Sequence, residues 1–136
     1  MISYRTGNQL DVDAVIELYN SCSLGARRPT GERARMVDML ANANLVISAW
    51  DGELMVGISR SLSDFAYATY LSDLAVRESY QKHGIGRELI RLTQEAGGPH
   101  TTVILLAAPA AVDYYPRVGF TRHHSAWLLK GSEPLR

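Results

Sequence analysis

Apolar residues along the chain change their period several times, and each change marks an element. Ile2–Arg5 reads as a short first strand. Val12, Val15, Ile16 and Tyr19 then recur at helical spacing behind Asp11 or Asp13, either of which can cap the helix. Gly25-Ala-Arg-Arg-Pro29 breaks that pattern. Thr30 is placed to cap a second helix running to Ala41, with Met36, Val37, Met39 and Leu40 as its apolar contacts. Leu45–Trp50 and Leu54–Ser63 read as strands joined at Asp51-Gly52, a strong hairpin signal. Asp64 falls in the next turn, and Ala66–Val76 is a third strand of the same meander. Arg77–His83 is a polar connection. Gly84–Ala96 reads as a helix that turns Ile85, Leu89, Ile90 and Leu92 inward and stops at Gly97-Gly98-Pro99. The unbroken apolar run Thr102–Ala107 has the pattern of a buried interior strand. Ala110–Val118 reads as a short helix ended by Gly119 in the left-handed conformation, and Thr121–Lys130 as a last strand.

The resulting order is β-α-α-β-β-β-α-β-α-β. Such a mixture predicts an α+β fold, a mixed α/β sandwich with a central, mostly antiparallel sheet flanked by helices, rather than a doubly wound sheet. The chain of 136 residues has the size of one domain with one core, and residues 1–136 are expected to form it. With 46% hydrophobic and 21% charged residues, it can bury enough apolar surface to fold.

Charge narrows the function. Lys and Arg number 14, Asp and Glu 14, so the net charge is zero. A basic excess, the footprint of a nucleic-acid or anionic-membrane binder, is absent, and neither partner is expected. The start, Met1-Ile-Ser-Tyr-Arg5, lacks the basic-then-apolar pattern of a signal peptide. No stretch approaches the roughly 20 apolar residues that span a bilayer. Cys22 is the single cysteine, which rules out an internal disulfide and fits a reducing compartment. A soluble, cytoplasmic protein is expected, with Cys22 as a packing residue. His123-His124 suggests a metal pair, but neighbouring residues of a strand face opposite ways and no third ligand accompanies them, so no metal site is expected.

The chemistry concentrates in Leu74-Ala-Val-Arg-Glu-Ser-Tyr-Gln-Lys-His-Gly-Ile-Gly-Arg87. A strand ends at Val76, a polar loop follows, and a helix starts near Gly84. Unpaired amides and a partial positive charge make a helix N-terminus a site for an anion such as pyrophosphate. Gly84 and Gly86 remove side chains that would block close approach, and Lys82, His83 and Arg87 add positive charge. The phosphate-loop pattern G-x-x-x-x-G-K-[ST] is absent. The dinucleotide fingerprint fails too, because Leu89 stands where its third Gly belongs and the strand ends too early.

Gln81-Lys-His-Gly84-Ile-Gly86 fits Q/R-x-x-G-x-G/A. With Leu74-x-Val76 before it and Leu89-Ile90 after it, the segment resembles the GNAT superfamily of acyl-CoA-dependent N-acetyltransferases. Ala111-Val-Asp-Tyr-Tyr115-Pro-Arg-Val-Gly119-Phe120 resembles the late A-x-x-x-Y-x-x-x-G-F motif of that family, and the element order matches over nearly the whole chain. The resemblance implies acetyl-CoA as co-substrate and an amine of a small molecule or peptide as acceptor. It implies that the Leu74-Ala75-Val76 strand bonds the pantetheine arm through the main chain of Leu74 and Val76. Gln81, Lys82, His83, Gly84, Ile85, Gly86 and Arg87 would hold the pyrophosphate through backbone amides, and the amide of Val76 would meet the oxyanion. Tyr115 would lie near the sulfur; its usual pKa of ~10 lies above the ~8.5 of a thiol, which suits a proton donor to the leaving thiolate.

This chain departs from the family at two points. Ala108-Pro109 stands where relatives often carry an Asn, and Tyr70 where several carry a Glu. Asp73 is the only carboxylate on that strand and should point away from Leu74 and Val76 unless a bulge re-aims it. A water relay through Tyr70, Ser72 or Asp73 is as good a candidate for deprotonating the amine as a direct base, with Asp64 as an outside candidate. Arg27 and Arg28, in the loop between the first helices, suit an anionic group on the acceptor. Two further readings stay open: an acyl-CoA-sensing module that binds a partner protein, and a binder of another nucleotide. A homodimer suits so small a domain.

Overall fold

A computed structural model describes residues 1–136. Chain contacts divide them into two units, Met1–Leu106 and Ala107–Arg136.

The first unit runs β1 (Ile2–Thr6), α1 (Val12–Asn20), α2 (Arg33–Ala41), β2 (Leu45–Asp51), β3 (Leu54–Ser63), β4 (Ala68–Val76), α3 (Ile85–Gly97) and β5 (Thr102–Ile104). The sheet order is β1-β2-β3-β4-β5. Its pairings are antiparallel up to β4, while β5 joins β4 in parallel. Asp11 caps α1 by accepting from the amide of Asp13. The apolar stripe of α1, Val12, Val15, Leu18 and Tyr19, packs with Met36 and Leu40 of α2 on one sheet face around Val46, Met55, Ile58 and Ala75. On the other face α3 seats Ile85 and Leu89 against Ile47, Ala49 and Val56. Gly57 makes that approach feasible: a Cβ there would lie 3.1 Å from Leu89 Cδ1 and 3.2 Å from Ile85 Cγ2.

This is the α+β class that the patterning predicts, with several boundaries moved for identifiable reasons. The second helix starts at Arg33, with Glu32 at its cap position instead of Thr30. Thr30 and Glu32 donate to Arg28 O and Pro29 O, so a turn opened by Pro29 uses those residues first. β4 starts at Ala68 instead of Ala66, because Asp64 Oδ1 accepts from the amides of Ala66, Tyr67 and Ala68 and extends the turn. The run from Thr102 is no buried interior strand. It ends at Ile104 and forms the sheet edge, with Thr102 and Ile104 exposed.

In the second unit, the helix expected over Ala110–Val118 divides into a 3₁₀ turn at Pro109–Ala111 and a short α4 at Tyr114–Arg117. Gly119 takes the expected left-handed conformation, φ 104°. Tyr115 packs edge-on against Tyr114 and Phe120, with ring centroids 5.3 and 5.4 Å away. The last strand expected at Thr121–Lys130 does not form, and residues 121–136 are all exposed. The polar run Thr121–Ser125 followed by Trp127-Leu128-Leu129 has no period-two alternation, so it offers no single face to bury. His123 and His124 therefore do not alternate across a strand; their rings stack at 5.8 Å.

Candidate active site

The loop between β4 and α3 is built from its own side chains. Arg77 closes on Glu17 of α1 with a two-pronged pair of 2.7 and 2.6 Å, and its amide donates to Val56 O in β3. A 3₁₀ turn follows at Glu78–Tyr80, and the Tyr80 hydroxyl donates to Asp51. Gln81 donates its side-chain amide to Val76 O at 2.9 Å and its backbone amide to Glu78 O. Gln81 thus shapes the loop. Lys82 and Gly84 both adopt left-handed backbone, φ 67° and 83°, and Gly84 precedes the first residue of α3 without a side-chain cap.

The consequence is a row of open donors. The first amide that bonds back into α3 is that of Glu88, to Gly84 O. The amides of residues 82–87 donate to no acceptor in the chain. They sit at the positive end of a helix, next to the exposed side chains of Lys82, His83 and Arg87. Left-handed residues interleaved with open amides form a concavity that takes an anion.

The adjoining edge of β4 is open as well. β5 pairs with β4 only at Ala68, Thr69 and Tyr70. Beyond Tyr70 the residues up to Val76 have no neighbouring strand on that side. Because the Arg77 amide bonds β3, strand alternation turns the main-chain groups of Ala75 toward β3 and those of Leu74 and Val76 toward the open edge. The main-chain groups of Leu74 and the amide of Val76 are therefore free to pair with an extended ligand, whereas Val76 O is taken by the Gln81 side chain and the polar groups of Ala75 are committed.

Asp73 lies elsewhere and is fully engaged. Ser72 is an extra residue in β4: Arg60 pairs with Asp73 and Ser61 with Leu71. The bulge places Asp73 and Tyr70 on one sheet face, opposite Arg60 and Leu62 of β3. Asp73 is wholly buried. It accepts from Arg60 Nε at 2.6 Å, Tyr19 Oη at 2.7 Å, Arg28 Nε and, at 3.3 Å, Ser72 Oγ. Burial alone would raise its pKa, but the bonds from Arg60, Tyr19 and Arg28 prevail and hold the carboxyl below its usual range. Burial, followed by the Asp73 charge, pushes the Tyr19 phenol well up.

Arg28 also donates to Ser72 O at 2.7 Å and Arg27 O at 2.8 Å, so its guanidinium is occupied within the chain. The Arg27 side chain is exposed. Sequence reasoning missed Tyr19 and Arg60 as partners of Asp73. The signal for Arg60 was available: a lone Arg inside the apolar run Leu54–Ser63 requires a buried anion. Tyr115, in the second unit, has its pKa raised by burial and then by Tyr114, and stays protonated at neutral pH. No group of His, Cys, Asp and Glu gathers to hold a metal, and no helix is long and apolar enough to cross a membrane.

An open strand edge leading to an amide-lined helix start suits an extended ligand that carries a phosphate. The family model described as "Acetyltransferase (GNAT) domain" matches residues 28–133, and the chain belongs to that family. Solved structures agree on the fold. A GNAT-family acetyltransferase from Streptococcus pneumoniae superposes with a TM-score of 0.68 at 24% identity, covering 96% of this chain and 99% of that one. An aminoglycoside N-acetyltransferase in complex with CoA gives 0.74 at 16% identity, covering 97% and 95%. A transcriptional regulator from Bacillus halodurans gives 0.73 at 18%, covering 96% and 99%. No curated protein matches the sequence.

Proposed function

We propose that the chain transfers an acetyl group from acetyl-CoA to a primary amine of a small molecule or peptide. The observation that carries this reading is the run of unpartnered amides at residues 82–87, continuous with the open main chain of Leu74 and the open amide of Val76. The diphosphate takes the amides. The pantetheine arm adds to β4 as a strand would, which directs the thioester toward the Tyr70 end. The aminoglycoside enzyme captured with CoA supports the choice of cofactor by fold likeness.

In the transfer, the neutral amine attacks the thioester carbonyl, a C–N bond forms, the C–S bond breaks, and the thiolate takes up a proton. With the thioester directed toward Tyr70, the amide of Leu74, which faces the same open edge nearer that end, is better placed than that of Val76 to meet the oxyanion. Tyr115, kept protonated, is the proposed donor to the thiolate. Asp73 cannot serve as a base while two arginines hold it, so the amine's proton leaves through water, with Tyr70 as the exposed side chain available for a relay. Arg28 is occupied, which leaves Arg27 as the remaining candidate for an anionic acceptor group.

Calorimetric titration of coenzyme A against ATP, followed by detection of released thiol over an amine panel, tests the reading. Coenzyme A should bind far more tightly than ATP, and thiol release should require an amine. Equal binding of ATP would defeat it. The lack of a free carboxylate on β4 favours one second reading, a non-catalytic acyl-CoA-sensing module that binds a partner protein. Coenzyme A binding without thiol release from any amine would select it.

A further inference from the structure

Beyond the cofactor edge, a row of apolar side chains crosses the sheet with little packed on it. Leu62 of β3 pairs with Tyr70 of β4, and Tyr70 pairs with Ile104 of β5. Directly paired residues project from the same face, so these side chains stand side by side. Leu62 is 43% exposed, Tyr70 39% and Ile104 50%. The same face is covered by α1 and α2 at Ile58 and Ala75; the row begins one register step beyond the Arg60–Asp73 pair, where that cover ends. The β3–β4 turn at this end of the sheet adds Phe65, which is exposed with φ 59°. That conformation is uncommon for a bulky residue and persists only where the surroundings fix it. Here Ser63 Oγ holds the Phe65 amide, and Asp64 Oδ1 holds the next amides of the turn.

The row lies at the fork of the sheet. The β4–β5 ladder ends at Tyr70 and Ile104, and the open β4 edge begins at the next residue. An arm anchored at residues 82–87 and running back along β4 brings its thioester to this fork. The charges nearest the row are already matched. Asp73 is neutralised by Arg28 and Arg60, the guanidinium of Arg28 is committed, and Asp64 is turned onto its own backbone. None of these groups is left to hold a second ammonium of an acceptor.

We propose that the acceptor is an apolar amine: an aromatic or branched-aliphatic primary amine whose hydrocarbon body lies on Leu62, Tyr70 and Ile104 while its nitrogen meets the thioester. This rests on the acyl-CoA reading above. The amine forms the new C–N bond, the C–S bond breaks, and the proton lost by nitrogen ends on the thiol.

The test compares 2-phenylethylamine and isoamylamine with putrescine and glycinamide by thiol release, in the wild-type chain and in the double variant Leu62→Ser, Ile104→Ser. Both side chains are exposed, so the fold tolerates the change, and a thermal melt checks it. The apolar amines should win by about tenfold or more in kcat/KM. The double variant should raise their KM by about tenfold, leaving kcat and the coenzyme A affinity unchanged. Preference for putrescine, or an unchanged KM, overturns the inference while leaving the transferase intact. A loss of dimer in sedimentation with unchanged KM would also overturn it, making the row an interface between copies. Failure of coenzyme A to bind the wild-type chain defeats the acyl-CoA reading itself.

Discussion

Two polar regions of the first unit handle hydrogen bonding in opposite ways. Around Asp73, a buried carboxylate meets donors from α1, the Arg28 segment and β3, and each is satisfied inside the chain. A few residues further on, the amides of residues 82–87 meet no acceptor in the chain. The contrast follows from burial. An unmatched charge in the interior carries a heavy desolvation cost, so the Asp73 region had to be closed from within. Open amides at an exposed helix start are hydrated and cheap to leave unmatched until a ligand arrives. Both sit on or next to β4, so one strand carries the internal anchor of the fold and, past it, the surface kept for a ligand.

The comparison breaks most visibly if Asp73 is changed. Asp73→Asn leaves Arg28 and Arg60 without their anion and should cost about 3–5 kcal/mol of stability, read from denaturant midpoints. Its affinity for coenzyme A, measured where the variant is still folded, should change little. A variant as stable as the parent would mean the pairs hold nothing together. The sign of the pH effect follows from the carboxyl lying below its usual range. Its stabilising contribution is present above the ordinary pKa of about 3.9 and is lost as pH falls through the lower folded value. Asp73→Asn should lack that acid limb.

Gly84→Val reverses the emphasis. The position has φ 83° with nothing within 4 Å of a built Cβ, so the cost is local backbone strain rather than a core clash. The distortion falls on the amides that would face the diphosphate. Coenzyme A should bind about tenfold more weakly, roughly 1.4 kcal/mol, with a smaller loss of stability than in Asp73→Asn. Unchanged affinity would remove the amide row from the binding site.

The helical stripe of α1, the Asp51-Gly52 turn and the start of α3 after Gly84 were legible because each is written locally, in spacing or in one or two residues. Both motifs that named the family are local in the same sense. What escaped depends on register between distant segments. The bulge at Ser72 puts Tyr70 and Asp73 on one face, against simple alternation, and only the β3–β4 pairing reveals it. Arg28 looked free for an acceptor because its partners, Asp73 and Ser72, lie more than forty positions away. The Thr102–Ala107 run was misread for a related reason. Apolar content alone does not separate a central strand from an edge strand, and Leu62, Tyr70 and Ile104 show how much apolar surface this sheet leaves uncovered.

The smallest expected effect sharpens the contrast most. Lys82 and Arg87 surround the open amides as exposed point charges, so their attraction for a diphosphate is screened by salt over about 10 Å at 0.1 M. The amides act at contact distance, where screening is weak. Lys82→Ala with Arg87→Ala should therefore weaken coenzyme A binding only a few-fold at low salt, and the two proteins should converge as salt rises. The residual affinity at high salt measures what the amides alone supply. If the double variant lost binding altogether, the side chains rather than the backbone would hold the diphosphate, and the difference between a region satisfied from within and one left open for a ligand would no longer account for where the cofactor sits.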